Sequence, residues 1–385
     1  MEPSQPDTFT SPPVALVLPG GGARAAYQVG VLEGIGRRFG NVFFPVITGV
    51  SAGAINAAYL AAASGNLGDA TRNLAQLWKN ITFEDVFRVD TRWLMGNAAR
   101  WLTRLGGGGH LGRRTRGLLD TEPLRQLLRR ELGSGDGPIE GIAANLDRGR
   151  LQAAALLTVN YGTGQTVSWV EGQDIEAWER PERLARKTRL TVEHVMASAA
   201  LPLLFPAVDL GDGWYGDGGI RLSAPLSPAL HLGATRLLAI TPRYPRSARE
   251  ASHSNIKNYP PPAQIAGNLL NAVFLDVLDQ DISRLERLNS LVSKLPEEER
   301  EGLKPVDILH LRPSEDLGKL SAGFEPRLPR AFKMFTRSLG TRETESPDAL
   351  SLLMFQPDYI SRLIELGIHD AEQQMDSIEA LLEAP

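Results

Sequence analysis

The chain contains no cysteine. Disulfides, thiolate metal sites and a cysteine nucleophile are therefore excluded. It also lacks an excess of positive charge. Lys and Arg number 41 against 45 Asp and Glu, a formal net charge of −4, so no global field gathers nucleic acid. Long apolar runs are missing as well, and none approaches the roughly 18 residues that a membrane span needs. Met1 to Pro13 lacks the basic start and apolar stretch of a signal peptide and reads as a polar tail, 1–13. These absences predict a cytoplasmic protein that meets a membrane only at its surface.

What is present is ordinary for a globular protein: 42% hydrophobic and 22% charged residues over 385 positions. That length predicts one large α/β domain plus an extension, or two domains. Val14 to Leu18 is a short apolar run ended by Pro19 and three glycines, as a buried strand would be. Residues 23–39 then read as helix, with Ala26, Gly30 and Gly34 spaced to let a neighbour pack very close. Phe44 to Thr48 reads as a second buried strand, followed by Gly49-Val50-Ser51-Ala52-Gly53 and an Ala-rich helix to about Ala63. Two strand–turn–helix units in tandem point to a mostly parallel sheet covered by helices. Further strands are expected at Leu151 to Val159, Thr166 to Val170, Arg236 to Thr241 and Val306 to Leu311. Helices are expected at Leu190 to Ala199, as one long element from Ala263 to Leu295, and as two more within 350–383. The division predicted is an α/β domain at 14–245 and a mainly helical region at 246–385.

Three segments carry chemistry. Gly20-Gly21-Gly22-Ala23-Arg24 lies between a strand and a helix N-terminus, where free N–H groups suit a phosphate or the oxyanion of an acyl transfer. Arg24 could meet a substrate anion or serve a structural ion pair. Gly49 to Gly53 matches G-x-S-x-G, a sharp strand-to-helix turn that thrusts a serine hydroxyl outward. Side chains at Gly49 and Gly53 would clash with the neighbouring strand and helix. Asp217-Gly218-Gly219 is a turn whose aspartate can be a base or simply solvated. None of the six histidines lies in a catalytic-looking motif, and no spacing suggests a metal site.

Taken in order, these segments resemble the patatin-like phospholipase family, which pairs a glycine-rich loop, a G-x-S-x-G elbow, an A-S-x-x-x-P segment and a D-G-[GA] turn. Here they are Gly20 to Arg24, Gly49 to Gly53, Ala197 to Pro202 and Asp217 to Gly219. Ala25 replaces the glycine usual after the basic residue. The resemblance spans about residues 14–245. It implies a three-layer α/β/α fold with a helical C-terminal extension, and a Ser51–Asp217 dyad without histidine. It further implies an oxyanion hole at Gly20, Gly21, Gly22 and Ala23, with no metal or cofactor, acting on a lipid or acyl ester. A non-catalytic lipid-binding or regulatory protein on the same scaffold, and a histidine-dependent esterase, are the alternatives. Segment 80–118 interleaves Trp93 and Trp101 with arginines, as a lid or a face for anionic lipid would. Homo-oligomerisation is compatible with all of this.

Overall fold

The computed structural model describes residues 13–88, 117–173, 175–252, 259, 262–328 and 348–383. The polar tail up to residue 12 and most of segment 80–118, including Trp93 and Trp101, lie outside the described residues.

The first half alternates strand and helix: β1 (Val14–Leu18), α1 (Ala26–Arg38), β2 (Val46–Val50), α2 (Ala52–Ala62), α3 (Leu67–Asn80) and, after the undescribed stretch, α4 (Glu122–Glu131). A central group follows: β3 (Ala153–Asn160), β4 (Thr166–Gly172), β5 (Glu179–Arg180), β6 (Arg183–Lys187), α5 (Val192–Ser198), β7 (Val208–Asp209) and β8 (Trp214–Asp217). Then come α6 (Ser227–His231), β9 (Arg236–Ile240), α7 (Pro262–Phe274), α8 (Asp276–Val292), β10 (Asp307–Leu311), α9 (Asp348–Leu352) and α10 (Pro357–Gln373).

The strands form one sheet in the order β10-β9-β1-β2-β3-β4-β6-β5, with β8 added beside β3 and β7 beside β8. From β10 to β3 every neighbour is parallel. Strands buried on both faces must be apolar throughout, which is why Val14 to Leu18 is an unbroken hydrophobic run and is buried at all five positions. Beyond β3 the sheet turns antiparallel through the hairpin to β4, with Leu157 opposite Ser168.

Two cores flank the sheet, giving the expected three layers. One contains Leu16, Leu18, Ile47, Leu156 and Ile240 and is covered by α1, α2, α3 and α10. The other contains Ala15, Val17, Ala155 and Leu237 and is covered by α6 and by Leu278, Ile282 and Leu285 of α8. The small-residue face of α1 finds its neighbour in α10: a Cβ on Gly30 would lie 2.2 Å from the Ile364 carbonyl oxygen.

Several boundaries differ from the sequence reading. Residues 22–25 form a 3-10 turn before α1 begins at Ala26. The second strand starts two residues late, after Pro45, whose missing N–H suits a strand entrance. The long helix expected at 263–295 breaks at Leu275, where φ is −118°. The break falls where Phe274 packs on the Asp217 turn, against Gly219. Tertiary contact here overrides a stretch, 268–295, with no proline or glycine. The mainly helical region after 245 shares the same sheet through β10 and the same core through α10.

Candidate active site

The site lies at the C-terminal ends of β1 and β2, adjacent parallel strands, where open α/β sheets place their ligands. β2 passes into α2 through Ser51, which is held at φ 57°, ψ −132°. A positive φ is uncommon for a residue with a side chain and persists only where its surroundings fix it. They do so here. A Cβ on Gly53 would stand 2.1 Å from the Leu18 carbonyl oxygen, and one on Gly49 2.6 Å from the Gly53 carbonyl oxygen. The two glycines of the motif are therefore demanded by close packing, as expected.

The elbow is also tied from below. The Ser51 N–H donates to Ser198 Oγ at 3.0 Å, and Ser198 Oγ donates to the Leu157 carbonyl at 2.6 Å. Ser198 is fully buried. Its segment, Ala197 to Pro202, was legible as a motif, but the role of its hydroxyl was not.

Asp217 ends β8 beside Thr158 of β3 and is completely buried. Its N–H donates to the Ala200 carbonyl at 3.1 Å, and its Oδ1 accepts from the Gly219 N–H at 2.9 Å. Its Oδ2 is buried without a partner in good hydrogen-bond geometry among the described residues. Burial pushes the carboxyl up to about 7, while the facing Ser51 side chain and the Gly219 N–H pull it down. The structure thus brings Ser51 and Asp217 together from positions far apart in the chain.

The glycine-rich loop closes the third side. A Cβ on Gly20 would lie 2.9 Å from the Ser51 Cβ, so this backbone lies directly against the serine. Gly22 adopts φ 54° and opens the 3-10 turn Gly22–Ala25. The first N–H groups of such a turn lack partners within it and are free for an anion.

Arg24 needs a correction as a substrate-anion contact. It is buried, and its hydrogen-bond partners lie on α9. Its Nη2 meets Asp348 Oδ1 at 2.5 Å and its Nε donates to Ser351 Oγ at 2.6 Å. The guanidinium is consumed by a structural ion pair with α9, leaving the loop's backbone N–H groups as its donors. Nothing in the sequence linked Arg24 to residues more than 300 positions away.

An apolar pocket adjoins Ser51, lined by Ile55, Leu77, Trp78, Leu124, Leu127, Phe205 and Phe355 and closed down to about 30 Å³. None of the four described histidines lines it. His194 caps α5 and His231 stacks on Trp178, while His310 accepts from Arg312 and His369 is exposed.

This sheet, with a serine at a sharp strand-to-helix turn, a buried aspartate and a glycine-rich loop beside it, defines a three-layer α/β/α protein. The profile of the family described as "Patatin-like phospholipase" matches residues 16–230, and the chain belongs to that family. No curated protein matches it. Solved structures with a similar course include VipD from Legionella pneumophila, at 15% identity and TM-score 0.39, covering 95% of this chain and 67% of VipD. The human GIVD cytosolic phospholipase A2 gives 14% identity and TM-score 0.43, covering 96% and 58%. The type III effector protein ExoU gives 16% identity and TM-score 0.32, covering 92% and 54%. The chain spans less than two thirds of the human protein's length. Among the described residues, no helix is long and apolar enough to cross a membrane.

Proposed function

We propose that the chain is a serine acyl hydrolase that cleaves carboxylic esters of lipids through an acyl-Ser51 intermediate, with Asp217 as base. The observation that carries this reading is a fully buried carboxyl, raised to about 7, with one oxygen unengaged and facing a serine held at positive φ. An aspartate at its ordinary pKa is a weak base at neutral pH, and one near 7 is well matched to the task.

Ser51 Oγ attacks the ester carbonyl while Asp217 Oδ2 takes its proton. The N–H groups of Gly20, Gly21, Gly22 and Ala23 are the candidate donors to the oxyanion, and losing one such donor costs on the order of 3 kcal/mol. Asp217 returns the proton to the leaving alkoxide as the tetrahedral adduct collapses. Water, deprotonated by Asp217, then attacks the acyl-serine and releases the free acid with Ser51 restored. The apolar pocket beside Ser51 would take the acyl chain once its walls separate.

The deciding experiment is an acyl-ester panel of varied chain length and head group, run on the wild type and on Ser51→Ala. Turnover lost in folded Ser51→Ala supports the reading, and turnover retained there overturns it. The alternation of Trp and Arg in 80–118 supports peripheral contact with anionic lipid. Vesicle sedimentation that is unchanged in Trp93→Ala/Trp101→Ala would reject that contact.

A further inference from the structure

The face of the sheet opposite the apolar pocket carries a second recess, a cleft of about 900 Å³. Its floor is β-sheet. Leu157 opposes Ser168, so these two side chains share the face of Ala155 and Val170, which belong to the core under α8. One wall is α8, and the other is the tight pair β5–β6 with the 3-10 turn Gly218–Arg221.

Four arginines from four separate elements line this cleft: Arg180, Arg183, Arg221 and Arg284. Glu182 is the one carboxylate among the residues lining it. None of the four arginines has a salt bridge to a carboxylate among the described residues. Asp281, one turn from Arg284 on α8, accepts the Leu226 N–H at 3.0 Å and feels the charges of Arg284 and Arg183 without a salt bridge to either, so it offsets part of their charge. The positive potential is felt by a neighbour: burial depresses His231, and Arg180 and Arg183 depress it further.

Four guanidinium groups against one carboxylate leave the lining net positive, and such a cleft concentrates anions. Guanidinium forks match phosphate oxygens two at a time. The volume is far more than a lone phosphate needs and lies in the range of organic-ligand sites. Trp178, Ile220 and Val277 supply apolar wall for such a body. We propose that this cleft binds a phosphate ester, an organic molecule whose phosphate groups are held by Arg183, Arg221 and Arg284. The occupant would also touch Gly219, whose N–H holds Asp217, from the side of the sheet away from the acyl pocket. The same chemistry is offered by a phospholipid head group and by a soluble sugar phosphate.

Binding of the full chain to fructose 1,6-bisphosphate by calorimetry, and to phosphatidylcholine vesicles with and without phosphatidic acid by sedimentation, separates the two sources. The wild type should bind at least one probe saturably. Arg183→Gln/Arg284→Gln, both at solvent-accessible positions, should weaken that binding about tenfold or more. Arg183→Lys/Arg284→Lys, keeping charge without the fork, should fall between. Sugar-phosphate binding assigns a soluble ligand, and binding confined to phosphatidic-acid vesicles assigns a head group. Absence of binding to either probe, or equal binding by the glutamine variant, overturns the proposal.

Discussion

The backbone N–H of Ser51 donates to the hydroxyl of Ser198, which in turn donates to the carbonyl of Leu157 on β3. One small side chain therefore joins the elbow, the helix before the Asp217 turn and the central sheet. Removing it as Ser198→Ala leaves a buried N–H and a buried carbonyl without this partner, a cost of about 1–3 kcal/mol in stability. It also loosens a serine whose backbone conformation depends on its surroundings. If Ser51 is the nucleophile, kcat on a short acyl ester should fall about tenfold or more with KM little changed. A variant with lower Tm but full kcat would show that Ser198 serves only the fold.

Asp217 makes the pH dependence specific. As the base it must be ionised, and its carboxyl is raised to about 7. Then kcat/KM should fall tenfold per unit below an apparent pKa near 7 and level off above it. Stability runs the other way. Between about 4 and 7 the folded chain keeps a proton that the unfolded chain has lost, so stability declines as pH rises through that window. Asp217→Asn removes this cost, on the order of 4 kcal/mol above pH 7, and its amide oxygen can still accept from Gly219. The variant should thus be more stable than the wild type at pH 8 by urea unfolding, while losing activity about a thousandfold. Equal stability of the two proteins at pH 8 would contradict a buried, raised carboxyl.

The parallel half of the sheet was legible because its strands are buried on both faces, and unbroken apolar runs such as Val14 to Leu18 follow from that. The elbow was legible because close packing at Gly49 and Gly53 admits no side chain, a constraint written in residue type. The close-packing face of α1 was legible for the same reason, although its partner α10 was not. The break at Leu275 and the anchoring of Arg24 left no local trace. Each is decided by a contact between distant segments, Phe274 with Gly219 and Arg24 with Asp348, and neither changes the periodicity of its own helix or loop.

Arg24 and Asp348 are both buried, so their pairing has a definite energetic signature. Breaking a buried pair from one side strands a charge and costs about 3–5 kcal/mol. Asp348→Ala should destabilise by that order, and Arg24→Ala by less, because Arg246 Nη2 remains 3.8 Å from Asp348 Oδ2. The double variant should lose less than the sum, because it leaves neither charge unpaired. A double-mutant cycle by urea unfolding measures the coupling. Additive losses would mean that the pair does not interact as drawn. An unchanged preference among ester head groups in folded Arg24→Lys is also expected, since the guanidinium is held by Asp348 and Ser351 of α9.

The apolar pocket beside Ser51 predicts how chain length is read. At about 30 Å³ it holds no acyl chain as it stands, so a chain can enter only if its helical walls part. Leu77 of α3 lines it and is half-buried, so changing its size perturbs the pocket with less damage than a change in the deep core. Leu77→Ala should raise kcat/KM for long acyl esters relative to short ones, and Leu77→Phe should lower the same ratio. A methylene gained or lost in such a pocket is worth about 1–3 kcal/mol, so the ratios for the two variants should differ by about tenfold or more. Overpacking by the phenyl ring should cost about 1–3 kcal/mol of stability, so each ratio is compared below the Tm of its variant. Chain-length profiles that superimpose for wild type, Leu77→Ala and Leu77→Phe would place the acyl chain elsewhere and detach this pocket from the reaction.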